Sequence, residues 1–149
     1  GHKPEAVKLT PDNIYTEILK GNEALDDAEV PETGRCLVLT PASYTLLKQC
    51  KDVIMETDIG NELRLRGVLA MLDGCSVIKV PAIRLPEAFG FMIAHPCATV
   101  APTKLESYVV HKNPPGISGY LLEGRVCYDA FVLDNKAKAL YYQAKSSAT

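Results

Sequence analysis

The chain has 149 residues, 47% of them hydrophobic and 23% charged, the proportions of one folded domain rather than of a disordered chain. At this length folding buries about 68–70% of the surface the unfolded chain exposes, enough for a core without disulfides or metal. Sixteen basic against eighteen acidic residues leave a formal charge of −2, so no global field draws in nucleic acid or an anionic membrane. The longest apolar runs, such as Val68-Leu69-Ala70-Met71-Leu72, fall far short of the roughly 18 residues a membrane helix needs. No signal-peptide core follows Gly1-His2-Lys3-Pro4, and Gly1-His2 reads as a cloning remnant. A soluble protein without an export address is expected.

Thr10-Pro11-Asp12-Asn13 opens a helix over residues 9–30: a hydroxyl cap, proline at the first helical position and an acid in the first turn. Ile14, Ile18, Leu25 and Ala28 fall on one stripe, with Tyr15 and Leu19 beside it. Gly21 shares that stripe, which weakens the helix and lets a neighbouring element come close. Val30-Pro31-Glu32-Thr33-Gly34 ends it in a turn, and Arg35–Leu39 has the branched, apolar character of a buried strand. Thr40-Pro41-Ala42-Ser43 repeats the start signal for a helix to about Cys50, burying Leu46, Leu47, Cys50, Val53 and Ile54.

Asp58 to Arg66 reads as a short helix ending at Gly67. Gly67–Leu72 and Cys75–Val80 flank Asp73-Gly74, a two-residue hairpin loop whose residues need positive φ. Pro81–Pro86 is a proline-bounded loop, and Phe89–Ala94 an apolar run of strand length. Leu105–Lys112 alternates loosely and stops at Asn113-Pro114-Pro115-Gly116. Ser118–Leu133 should be extended, Asp134-Asn135-Lys136 a turn, and Ala137–Tyr142 its returning hairpin partner. Lys145–Thr149 reads as a mobile tail.

Cys36, Cys50, Cys75, Cys97 and Cys127 are spaced by 14, 25, 22 and 30 positions, without a CxxC pair. They read as reduced, mostly buried thiols of a cytosolic protein. His95-Pro96-Cys97 brings a base and a thiol together in sequence, which suggests a nucleophile or part of a metal site. Catalysis would need the base within reach of the sulfur and a third group to orient it, and zinc needs about four ligands where the only other histidines are His2 and His111. A turn at a strand end with a buried thiol is the simpler reading. Neither GxxxxGK[ST] nor GxGxxG occurs. Asp26-Asp27-Glu29 and Glu56/Asp58 read as solvated charges, and Lys136, Lys138 and Lys145 as a thin basic cluster that protects an edge strand. No residue is assigned to catalysis, cofactor or metal, and the chemistry alone points to an interaction or structural protein.

Three stretches, in their order and spacing, resemble the major capsid proteins of tailed bacteriophages and their prophage relatives. The first is Val30–Pro41 with the helix carrying Tyr44, Leu46 and Leu47; the second is Gly67–Ile78; the third is Tyr128–Lys136. The resemblance, running from Leu9 to Gln143, implies the Hong Kong phage type of capsid fold. That is an α+β fold in which a mixed central sheet flanked by helices forms an axial domain and C-terminal strands return toward a peripheral domain. On this basis residues 1–8 are a tag remnant or linker, 9–112 the axial domain, 118–143 the closing peripheral strands and 144–149 the mobile tail. The family's N-terminal arm, extended loop and spine helix have no counterpart here, so the chain reads as a C-terminal fragment. The implied function is mechanical: self-association into pentamers and hexamers enclosing DNA, in a virion made in the bacterial host cytoplasm. Its partners would be copies of itself, with scaffold and portal proteins, weak local contacts to packaged DNA and no membrane. The alternatives are an unrelated soluble binding module or, further off, a cysteine-dependent hydrolase built on Cys97 and His95.

Overall fold

The computed structural model describes residues 1–51 and 71–146. Five strands form the central sheet: β1 (Cys36–Leu39), β2 (Met71–Leu72), β3 (Cys75–Lys79), β4 (Phe89–Ala94) and β9 (Leu140–Ala144). Their order is β2-β3-β1-β4-β9, with β1 parallel to β3 and every other pair antiparallel. Parallel neighbours need a crossover rather than a hairpin, and α2 (Pro41–Gln49) begins the one that joins β1 to the β2–β3 hairpin. α1 (Ile14–Asp26) packs on β9 and on α2. The architecture is the mixed sheet with helices that the sequence suggests, and the apolar run Phe89–Ala94 is a strand over its whole length.

Only α2 is opened by its Thr-Pro signal as expected. At α2 the expected cap forms: the Thr40 hydroxyl oxygen accepts the Ser43 N–H at 3.1 Å. Thr40 Oγ1 also donates to Ser43 Oγ, which donates to the Gly90 carbonyl at 3.1 Å and so ties the helix start to β4. At α1 the Thr10–Asn13 stretch makes a turn, and the helix begins at Ile14, later than the proline suggests. Asn13 turns its side chain back, accepting the Thr10 N–H at 2.7 Å and donating to the Lys8 carbonyl at 2.8 Å.

On α1 Ile14, Ile18 and Leu25 are fully buried as their spacing predicts and Leu19 is exposed at the margin, but the helix stops at Asp26 rather than near residue 30, which leaves Ala28 beyond it and only half-buried. Gly21 is the point of closest approach. A Cβ there would lie 2.7 Å from Ile93 Cδ1 and 3.0 Å from the Tyr141 ring, so no larger residue fits without displacing the core. Tyr141 in turn stacks on Phe91 at 6.0 Å between ring centroids. With Leu37, Leu39 and Leu47 these side chains form one continuous core. The burial expected of Val53 and Ile54, the helix near 58–66 and the strand at 67–70 lie outside the described residues.

A buried polar cluster fixes the end of α1 to the hairpin. Arg35, 3% exposed, donates to Asp26 Oδ1 at 2.6 Å, to the Val30 and Pro31 carbonyls at 2.6 and 3.0 Å, and to Asn22 Oδ1 at 3.4 Å. Its planar fork thereby satisfies the carbonyls of the turn that leaves α1. Asn22 passes the connection on, donating to Asp73 Oδ2 at 2.6 Å. Asp73 and Gly74 take φ of +46° and +72°, as the two-residue loop requires.

Three features around β9 depart from the sequence reading. The hairpin expected across Asp134–Lys136 is not formed: Asp134–Ala139 is a 3₁₀ turn, and β9 pairs with β4 inside the central sheet, Ala94 facing Leu140 and Ile93 facing Tyr141. Leu140–Gln143 therefore belong to the central sheet rather than to strands outside it. Residues 1–8, expected as a remnant or linker, run beside β9 in parallel, with bridges His2 to Tyr141 and Val7 to Lys145. Pro4 has no N–H to continue that ladder, and the buried Gln143 amide spans the interruption by donating to the Glu5 carbonyl at 2.8 Å. Of the segment expected as a mobile tail, Lys145 donates its N–H to Ala88 and Ser146 to Val7; residues 147–149 lie outside the described residues.

Replacing Gly74 with Val should cost about 1–3 kcal/mol, because a branched side chain is strained at this φ although nothing lies within 4 Å of its Cβ. Thermal denaturation checks it: an unchanged melting temperature would show that the loop adopts another backbone conformation.

Candidate assembly surface

Between β4 and β9 the chain makes one long excursion. It passes a 3₁₀ turn at Pro96–Ala98 and the short strand β5 (Thr99–Val100), then runs out as β6 (Thr103–Lys112) and back as β7 (Tyr120–Tyr128). β8 (Phe131–Val132) pairs with β5 at the root. β6 and β7 form a two-stranded antiparallel ribbon about 33 Å long at the usual rise per residue. The loose alternation over Leu105–Lys112 is thus one strand of a hairpin that starts at Thr103. Its loop uses Asn113 at φ +49°, whose N–H donates to the Gly119 carbonyl at 2.7 Å.

Alternation and register sort the side chains onto two faces. Tyr108, Val110, Tyr120, Leu122, Val126 and Tyr128 share one with Glu106 and Lys112; Val110 stands opposite Leu122, Tyr108 opposite Gly124, Glu106 opposite Val126 and Lys112 opposite Tyr120. Tyr108, Val110, Tyr120 and Leu122 are 74%, 61%, 66% and 68% exposed. The other face is mixed, carrying Val109, Leu121 and Cys127 beside Ser107, Arg125, Glu123 and His111, with His111 Nε2 at 3.2 Å from Glu123 Oε2. Gly124 has a packing reason: a Cβ there would lie 3.0 Å from the Tyr108 ring, which covers the backbone a glycine leaves bare. A two-stranded ribbon is marginal by itself in water, and this one exposes a row of apolar side chains. Exposed apolar side chains gathered on one face are what protein interaction sites offer in general. Sequence reasoning missed this face, although the pattern Tyr-x-Leu-x-Gly-x-Val-x-Tyr from Tyr120 to Tyr128 is legible once two faces are considered.

The residues singled out for chemistry are placed as follows. His95 and Cys97 meet through the backbone: the Cys97 N–H donates to His95 Nδ1 at 3.2 Å, and the other ring nitrogen faces the Thr33 carbonyl at 3.1 Å. Both imidazole nitrogens are thus engaged away from the thiol. Asp26 is taken by Arg35, while Glu56 and Asp58 lie outside the described residues. The three lysines do not form one cluster. Lys136 and Lys138 line a hollow with Cys97 and Glu29, whereas Lys145, beyond the far end of β9, lines another with Ile83 and Phe89. The expectation of mostly buried thiols needs correction too. Cys50 and Cys75 are buried and Cys36 half-buried, but Cys97 and Cys127 are exposed, each in a segment of the excursion that leaves the core. Burial pushes the Cys36 and Cys75 thiols above the ordinary range.

No protein-family model matches the sequence, and no curated protein is similar enough to match it. Solved structures are similar across nearly the whole chain. The capsid structure of cyanophage P-SCSP1u matches 99% of this chain with a TM-score of 0.78 at 15% identity. The bacteriophage PhiM1 mature capsid matches 99% with a TM-score of 0.70 at 15% identity, and a structure from Mycobacterium phage Che8 matches 96% with 0.68 at 16% identity. At such identities the likeness is one of fold, and the fold is that of phage capsid chains. This chain spans about half the length of those it matches, 54%, 52% and 53% respectively.

The thiols provide a check on these placements. Brief treatment with iodoacetamide at neutral pH should label Cys97 and Cys127 and leave Cys36, Cys50 and Cys75 unmodified until the chain is unfolded, because Cys50 is buried away from the reagent and the burial that raises the Cys36 and Cys75 pKa leaves little thiolate there. Mass spectrometry of the digested protein reads the order. Modification of Cys75 as fast as Cys97 would contradict the packing around Asn22.

Proposed function

We propose that the chain is a structural subunit of a phage or prophage capsid, associating with copies of itself into pentamers and hexamers that enclose DNA. The observation that carries this reading is the match of nearly the entire chain to capsid chains at TM-scores of 0.68–0.78. The apolar ribbon face supports it, since a shell subunit needs surfaces that are uncovered in the separate chain and covered in the assembly. In this reading the sheet with α1 and α2 is the axial body and the ribbon reaches toward the peripheral part of the subunit. The work is mechanical, and no side chain is assigned a catalytic role. Scaffold and portal proteins would be partners during assembly, DNA would be met through weak local contacts, and the finished location is the virion.

The chain of 149 residues by itself should sediment as monomers or small oligomers. The protein expressed as its natural gene encodes it, with scaffold supplied, should give closed spherical particles in electron microscopy. Leu122→Asp, on an exposed ribbon position, should change the melting temperature of the isolated chain little, surface substitutions usually staying within about 0.5 kcal/mol, yet prevent particles. If the natural protein stayed small under all assembly conditions, the capsid reading would fall and a soluble binding module would replace it.

A further inference from the structure

The root of the excursion converges on one residue. His95 follows β4 directly, where the chain leaves the central sheet, and all four of its hydrogen-bonding groups are engaged there. Its backbone N–H donates to the Ala139 carbonyl at 3.1 Å, on the connection that returns to β9. Its own carbonyl accepts the Ala98 N–H at 3.0 Å, and the Ala98 carbonyl accepts the Leu133 N–H at 2.9 Å. Nδ1 takes the Cys97 N–H at 3.2 Å and Nε2 faces the Thr33 carbonyl at 3.1 Å, in the turn after α1. The outgoing connection, the returning connection and the turn before β1 are therefore held together through this one side chain and its peptide groups.

The partners fix the protonation of the ring. A backbone N–H only donates, so Nδ1 presents a lone pair; a carbonyl only accepts, so Nε2 carries the hydrogen. The observed contacts require the neutral imidazole in its Nε2–H tautomer. A second proton on Nδ1 would set a donor against the Cys97 N–H and break that bond, while the Nε2–H bond to Thr33 would persist. Histidine is the side chain whose ordinary titration lies within the pH range 5 to 8. The charged groups on the elements packed at this corner are Glu29 and Glu32 on the turn and Asp134, Lys136 and Lys138 on the returning connection, with the thiols of Cys36 and Cys97 nearby.

We propose that His95 is a proton-operated pin at the root of the ribbon: neutral, it clamps the Pro96–Ala98 turn to the body of the domain; protonated, it lets go of the Cys97 amide and loosens the joint through which the ribbon is attached. The inference is independent of the capsid reading and concerns the isolated chain whatever it builds. Nitrogen-15 NMR of that chain provides the test. Near neutral pH the His95 ring should show the Nε2–H tautomer and the Cys97 amide should resist exchange; the pH is then lowered until the ring nitrogens themselves report double protonation. Cys97 protection, normalised to the intrinsic rate at each pH, should then fall about two- to tenfold, the scale of one lost hydrogen bond, with Phe91 and Ile93 amides unchanged. His95→Asn keeps an acceptor oxygen in the capping position without a titrating group, and its Cys97 protection should be equal at both pH values. An Nδ1–H tautomer at neutral pH in the unaltered chain would overturn the proposal whether or not the variant folds. So would unchanged Cys97 protection after the ring is doubly protonated.

Discussion

β4 and β9 are neighbours in the sheet, and this adjacency constrains everything between them. Ala94 ends β4 facing Leu140, which opens β9, so the chain must leave and return at the same corner. Two consequences follow. The intervening segment can be long without disturbing the core, since the entropy of closing a loop rises only slowly with its length. The corner itself must be well bonded, and it is: the bonds of His95, Ala98 and Leu133 described above form a small polar junction beneath the β5–β8 pair. The core on one side of that junction is closely packed around Gly21, Phe91 and Tyr141. The ribbon on the other side has no such support among the described residues.

How much of this was legible in the sequence depends on how local the determining interaction is. Phe89–Ala94 was readable because nearly every residue is buried, so the strand appears as an unbroken apolar run. The cap at Thr40 and the loop at Asp73-Gly74 were readable because each is set within four residues. The start of α1 was placed early because Asn13 satisfies the backbone by folding back on Thr10 and Lys8, a choice that depends on which carbonyl lies nearby. The partner of β9 was not readable. A strand's pattern tells which residues face the core but not which strand lies alongside, and Asp134-Asn135-Lys136 imitates a hairpin turn closely enough to suggest the wrong one.

The polar elements were the least visible. Gln143 is fully buried with its amide on the Glu5 carbonyl, and nothing in a glutamine near a chain end announces that a proline far upstream has left a gap for it. Arg35 likewise sits at a strand start where a solvated charge is the usual expectation, yet it is buried because the carbonyls of Val30 and Pro31 need a donor. The exposed cysteines were misjudged for a related reason. The tendency of free cysteine to bury is an average over positions, and Cys97 and Cys127 lie on an excursion with little core to enter.

The surface proposed for assembly was hidden by a different effect. Amphipathic patterns are recognised by assigning the apolar face to the interior of the same chain, and among the described residues the more apolar face of β6 and β7 has no interior to face. Its size bears on how it would act. A ribbon about 33 Å long and roughly 10 Å wide offers on the order of 300–500 Å² on one face, below the ~800 Å² per partner typical of a stable, specific contact. One such face cannot hold two chains together at ordinary concentration. In a closed symmetric assembly, however, each subunit makes several contacts at once, and after the first has formed the others close at high effective concentration. A weak, mainly apolar ribbon face would suit that regime, because contacts that are individually reversible let misplaced subunits dissociate before a shell closes. The Tyr108 ring lying over Gly124 bears on the same proposal: it covers backbone that the glycine leaves bare, so less ordering would remain to be done on contact with a partner.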